Sequence, residues 1–272
     1  MALAPGTEAI ASTIENEIQV DAHAPSVRVL EQWVGELPYD PGPWRASWVT
    51  RGDRETIALQ DIVVESGTAQ TLAIRVEGSV EEIANTSTIR PDSVSGVNLS
   101  LKATSNNSTF VGAMINTELP PDHSLEVAAQ VNGTGDDLQI LNSSLGVDSS
   151  DLTASIVNIT GRYRPGQPST GISELAGEVS VAISDTSALS QYSGREIPVL
   201  GPAELSGSLK QTGSRFSLEP VSLKVVGDEL GLTASGRIQN LEAFSGVQLR
   251  SRIERLDIEQ LLAFALENFQ YE

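Results

Sequence analysis

Leu200-Gly-Pro-Ala-Glu-Leu-Ser-Gly-Ser-Leu-Lys210 continues through Arg215-Phe-Ser-Leu-Glu219 to Glu229-Leu-Gly-Leu-Thr-Ala-Ser-Gly-Arg-Ile238, and the reading of this stretch decides the fold. Leu205, Gly207 and Leu209, then Phe216 and Leu218, then Leu230, Leu232, Ala234 and Ile238 alternate with Glu204, Ser206, Ser208, Lys210, Ser217, Glu219, Thr233, Ser235 and Arg237. That is the period of an antiparallel strand with one dry face and one wet face. A fourth run sets Val247, Leu249 and Ile253 against Gln248, Arg250, Arg252 and Glu254 and completes a four-strand meander.

Composition agrees with this reading. Of 272 residues, 39% are hydrophobic and 4% aromatic, with 23 Gly, a mixture expected of many short strands joined by turns. The 36 acidic and 17 basic residues leave a net charge of −19, which would repel nucleic acid, so that partner class is excluded. With no Cys there is neither a disulfide nor a thiolate site. The first ten residues lack the basic region and apolar core of a signal peptide, and no apolar run reaches the length of a spanning helix. Membrane contact is therefore expected only through parts outside this sequence.

The opening pattern recurs along the chain. Gly42-Pro43 returns as Gly201-Pro202, and Trp44, Trp48, Ile57, Leu59 and Val64 correspond to Ala203, Gly207, Phe216, Leu218 and Leu223. Leu72, Ile74, Val76, Gly78 and Val80 correspond to Leu230, Leu232, Ala234, Gly236 and Ile238. Leu125, Val127, Ala129 and Val131 begin another copy, whose third strand is expected at 152–159 and fourth at 177–183, with 161–171 an inserted loop.

The expectation is one continuous domain over 1–272: the end of a preceding repeat plus a helix at 1–36, then repeats at 37–118, 119–199 and 200–272. Each repeat is four strands and a short helix, the helices falling at 26–35, 107–115, 185–192 and 257–264. A chain opening on the tail of a repeat reads as a fragment of a longer one.

Leu-Gly-Pro-x-x-Leu-Ser-Gly-x-Leu at 200–209, Leu-Thr-Ala-Ser-Gly-Arg-Ile at 232–238 and Arg-Leu-Asp-Ile-Glu-Gln-Leu at 255–261 together resemble the C-terminal repeats of the AsmA-like proteins of the Gram-negative envelope. The resemblance covers the last seventy or so residues most strongly and extends in pattern back to Ser26. It implies a periplasmic protein, anchored in the inner membrane, whose long U-shaped β-groove carries phospholipid acyl chains toward the outer membrane. The family's amino-terminal anchor is absent from this sequence, and three repeats are fewer than its large members hold.

Independently of the family, an apolar sheet face must be covered, since each aliphatic or aromatic side chain is worth about 1.5–3 kcal/mol on burial. Short helices cannot roof twelve strands, which at about 4.8 Å spacing extend roughly 58 Å. Either the sheet curls into a sealed sandwich, or it forms a trough whose lining takes lipid tails. The candidate lining residues are Trp44, Trp48, Leu72, Ile74, Val97, Leu99, Leu125, Val127, Val131, Val179, Val181, Leu205, Leu209, Phe216, Leu218, Leu230, Leu232, Ile238, Leu249 and Ile253. Small residues in the same rows, Gly78, Ala129, Gly207, Ala234 and Gly236, would leave room in a trough or ease tight packing of a sandwich.

Chemistry has weaker signals. Asp122-His123-Ser124 is contiguous, whereas a triad converges from separated positions. Asp136, Asp137, Asp148 and Asp151, or Asp228 and Glu229, lack the spacing of a Ca²⁺ loop. The expectation is therefore no enzyme, no metal and no cofactor, with phospholipid or another acyl-chain lipid as the partner, alongside other envelope proteins. The alternative is a structural or adhesive β-repeat stalk, sealed inside, that binds a protein partner.

Overall fold

The computed structural model describes residues 16–26, 28, 40, 42–53, 55–68, 70–84, 90–109, 123–165, 172–190, 197, 199–227, 230–243 and 245–256. They build one antiparallel sheet of thirteen strands in strict sequence order. β1 (Asn16–Ala24) leads into β2 (Trp44–Gly52), β3 (Thr56–Ser66), β4 (Ala73–Ala84) and β5 (Val94–Ser105). A second set follows as β6 (Ser124–Thr134), β7 (Asp137–Asp148), β8 (Leu152–Tyr163) and β9 (Ile172–Ile183). The last set is β10 (Ala203–Thr212), β11 (Arg215–Val226), β12 (Leu230–Asn240) and β13 (Ser245–Leu256).

Turn chemistry sets where the chain reverses. After β2, the Asp53 carboxylate accepts the amides of Glu55 (2.7 Å) and Thr56 (2.9 Å), bonds that also hold its pKa below the ordinary carboxylate value. Gly213 turns β10 into β11 at φ +62°, and the Asn240 side chain accepts the Ala243 amide at 3.1 Å between β12 and β13.

Each strand meets chiefly its neighbours in the ladder, and among the described residues no second sheet or helical layer lies on either face. Burial reflects this. Among the described residues the side chain almost wholly sealed from solvent is that of Ser105, a small residue, whereas a two-layer core would seal Leu, Ile or Phe. Apolar side chains are covered sideways instead. Ile183, Ala203 and Val225 pack with Leu152, Leu223 and Leu232 from neighbouring strands, and Leu218, Val221 and Ile238 with Leu205 and Leu209.

The expected helices fare differently. Among the described residues the 3-10 turns are Pro91–Ser93 and Thr186–Leu189. The latter occupies part of the expected 185–192 helix and is capped by Asp185, which accepts the Ser187 amide at 2.7 Å. Ser108 and Thr109 start a helical turn where 107–115 was expected. Residues 110–115 and 191–192, the 257–264 helix, and all of 26–35 except Ser26 and Arg28 lie outside the described residues.

Two expectations in the second repeat need correction. Gly161, Arg162 and Tyr163 belong to β8 rather than to a loop, and β9 begins at Ile172 rather than Gly177. Strand pairing overrides local glycine content here, because Tyr163 pairs with Ile172 and Arg162 with Ser173.

Candidate functional site: one apolar face

Directly opposed residues in neighbouring strands share a face, and successive residues alternate. Following the register from β10 outward therefore sorts the sheet. Ala203, Leu205, Gly207 and Leu209 oppose Ile183, Val181, Val179 and Gly177 on β9, and Val225, Leu223, Val221 and Leu218 on β11. The same face continues through Leu232, Ala234, Gly236 and Ile238 to Ile253, Ser251, Leu249 and Val247. In the other direction it runs through Ala154 and Ile156, Leu145 and Val147, and Leu125, Val127 and Val131. It then passes Val97, Leu99 and Leu101, Ile74, Val76 and Val80, and Val64, and reaches Trp44 and Ala46. Ala24, Ala22, Val20 and Ile18 close it on β1, with Trp48 opposite Val20.

The candidate lining residues fall on this face. Phe216 sits there opposite Gln211, and Leu72, one step before β4, is 5% exposed. Leu230 opens β12, and its side chain is not among those described. Trp44 donates from Nε1 to the Ser26 carbonyl at 3.1 Å, and Trp48 to Thr50 Oγ1 at 3.2 Å, so both indoles are anchored.

The opposite face is polar and pairs with itself. Arg45 and Arg75 both bind Glu65, and Arg75 also binds Glu77. Arg51 meets Glu17 at 3.0 Å, Lys102 meets Glu126 at 3.1 Å, and Arg162 meets Asp137 at 3.2 Å. The Arg45 hydrogen bond holds the Glu65 carboxyl below its ordinary value of 4.5. Two hollows of about 460 and 450 Å³ open among these long side chains, around Arg45, Glu65 and Arg75. They are gaps between paired charges, lined in the first case by the small Gly67 and Ala73.

Glycines in the apolar rows do not leave room. A Cβ on Gly207 would lie 2.9 Å from Leu218 Cγ and 2.6 Å from the Pro220 carbonyl oxygen. On Gly78 or Gly236 it would strike the Asn98 or Gln248 carbonyl of the next strand. At these three positions the adjacent strand of the same sheet fills the space.

Several residues of this face escape a count by twos. In β3 the row passes from Leu59 to Ile62, in β7 from Ile140 to Ser143, and in β11 from Leu218 to Val221. Each jump is a bulge, with Asp61 and Asn142 at positive φ in the first two and Glu219-Pro220 in the third. A spacing of three flanked by spacings of two is the signal that would have placed Ile62 and Val221.

The chemical candidates are dispersed. Ser124 donates to the Asp148 carbonyl at 3.3 Å, His123 is 5% exposed at the start of β6, and Asp122 lies outside the described residues. His23 stands on β1 opposite Arg45. Asp136 and Asp137 lie at one end of β7, Asp148 and Asp151 at the other, and Asp228 and Glu229 are outside the described residues. Among the described residues no group of three His, Cys, Asp or Glu side chains is gathered as for a metal ion. Comparison with family models, with curated proteins and with solved structures yields no match to this chain.

Proposed function

We propose that this chain is an acyl-chain-shielding segment of an AsmA-like envelope protein, in which the apolar face forms a trough that holds phospholipid tails between the membranes of a Gram-negative cell. The observation that carries the reading is the contrast between the two faces. The polar side carries cross-strand ion pairs such as Arg75–Glu65 and Lys102–Glu126, while the aliphatic side runs from β1 to β13 with no covering layer among the described residues. Such a face in water is costly, and a hydrocarbon chain lying across the strands removes that cost without forming or breaking a bond.

Two features favour a trough over a flat ribbon. Bulges in β3, β7, β8 and β11 each add a residue to one strand of a pair, which bends the strand and increases its twist. The lateral packing of Leu218, Val221 and Ile238 also draws the apolar side chains together. In this reading the periplasm is the compartment, and no covalent chemistry is involved.

The test is to place a photo-crosslinking side chain at Leu205 or Leu249 on the apolar face and at Ser206 or Arg250 on the polar face, in cells and in purified protein. Lipid adducts confined to Leu205 and Leu249, with phospholipid co-purifying by mass spectrometry, are expected. Equal labelling of both faces, or a lipid-free protein that also refuses a fluorescent fatty acid, refutes the proposal and leaves the sealed stalk.

A further inference from the structure

Among the described residues the outer edges of β1 and β13 have no partner strand. These edges are where the apolar face is barest. Val247, Leu249 and Ile253 on β13 are 39%, 48% and 55% exposed and Ile18 on β1 is 57% exposed, against 4% for Leu218 and 7% for Ile238 inside the ladder. An interior strand is covered from both sides, and an edge strand lacks one of the two.

The polar sides of the two edges differ in charge. β13 presents Arg250, Arg252 and Glu254, all three exposed, and β1 presents Glu17 and Asp21. We propose that β13 of one copy pairs with β1 of a second copy, so that sheets join head to tail as successive repeats join within one chain.

The geometry allows one arrangement that keeps the apolar faces on the same side. Strands alternate in direction, and thirteen strands leave β1 and β13 running the same way. A second copy carried along the ladder without turning therefore meets β13 with a parallel β1. Setting Arg252 beside Asp21 puts Arg250 beside Gln19 and Gln248 beside Glu17. Leu249, Ser251 and Ile253 then lie beside Ile18, Val20 and Ala22. Glu17 keeps its bond to Arg51 at 3.0 Å, and Arg252 is held only at 3.6 Å from Glu254.

Like edges are kept apart by the same charges. A two-fold β13 pair sets Arg250 and Arg252 against their own copies, and a two-fold β1 pair sets Glu17 against Asp21; like charges directly opposed destabilise a ladder. The joint is heterologous and does not close on itself after one step, so it extends. The net charge of −19 opposes association at low salt, while at about 0.15 M the screening length of about 8 Å leaves touching edge charges effective.

The experiment is sedimentation velocity of the whole chain over a wide concentration range in about 0.15 M salt. The expected result is a mass that keeps rising with concentration. Arg250→Glu with Arg252→Glu should stay monomeric, as should Glu17→Arg with Asp21→Arg, and mixing the two double variants should restore growth. Circular dichroism checks that each variant keeps its strands. A monomer at every concentration, a species that stops at the dimer, or association indifferent to both charge reversals would overturn the proposal. The last outcome would place the contact on the apolar faces and is independent of lipid binding.

Discussion

Gly78 and Gly236 occupy corresponding places in β4 and β12, and each is pressed against the next strand's backbone. A Cβ on Gly78 would lie 3.0 Å from the Asn98 carbonyl carbon and 3.0 Å from Leu99 Cα, and on Gly236 2.9 Å from the Gln248 carbonyl carbon and 3.0 Å from Leu249 Cα. What differs is what stands behind. β5 is held between β4 and β6, whereas β13 has a strand on one side alone among the described residues and can give way.

Overpacking costs about 1–3 kcal/mol, and the φ of +146° at Gly78 adds about 1–2 kcal/mol for a residue with a Cβ, so Gly78→Ala should lose roughly 2–5 kcal/mol. Gly236→Ala, at φ +159°, adds backbone strain to an overpacking part of about 1–3 kcal/mol, but β13 can give way, so its loss should fall below that of Gly78→Ala and go into loosening β13. Gly213, in a turn at φ +62° with nothing within 4 Å of its would-be Cβ, is the control; its Ala variant should lose about 1 kcal/mol or less after the unfolded-state entropy gain. Urea unfolding gives the three values, and native-state hydrogen exchange shows whether Gly236→Ala opens only the β13 amides. If Gly78→Ala and Gly213→Ala prove equal, the claim that the strands approach too closely for a side chain is wrong.

Ser105, sealed, donating to the Thr71 carbonyl and accepting the Asn107 amide at 3.1 Å, ties β5 to the turn before β4, and Ser105→Ala should cost about 1–3 kcal/mol by urea unfolding. Leu218→Ala empties the cluster with Val221 and Ile238 and should cost about 2–4 kcal/mol in the same assay, more than Leu249→Ala at the exposed edge. The Asp185 carboxyl is held below its ordinary 3.8 by its hydrogen bond with Ser187. Because its folded pKa is depressed, its contribution is present above pH 3.8 and fades as pH falls through the lowered value. Stability curves of the native chain and Asp185→Ala should therefore separate above about pH 5 and converge in strong acid.

Strand positions were legible wherever alternation ran unbroken, as in β10, where Leu205 and Leu209 face the dry side and Glu204 and Lys210 the wet one. Within each set of four strands the order followed from short turns, because a meander needs no long crossing, whereas the β1–β2, β5–β6 and β9–β10 joints span 25–43, 106–123 and 184–202. Bulges were not legible. An extra residue at Asp61, Asn142 or Asn158 looks like an irregular polar insertion until the partner strand shows that the row resumes one position later. Glycine was ambiguous for related reasons: Gly161 reads as a loop signal yet pairs with Ile140, and Gly207 reads equally as free space or close packing until Leu218 is seen to fill the place. In both cases the deciding contact comes from another strand, which local sequence does not contain.

A ladder in which each strand leans mainly on its two neighbours distributes stability as a chain of similar joints, so the edges open first and the middle last. An apolar ligand lying across several strands changes that arrangement, because it couples joints that otherwise share no contact. Such a ligand adds RT ln(1 + [L]/Kd) to the strands it spans. On the polar face, charges such as Arg75 and Glu65 already answer one another, so binding energy of this kind enters from the aliphatic side. Exposed Leu249 and Ile253 then gain more from it than buried Leu218, whose neighbours already exclude water. The physical consequence of the proposed function is thus greatest at β1 and β13, which among the described residues have a neighbour on one side alone, and smallest in the middle of the sheet.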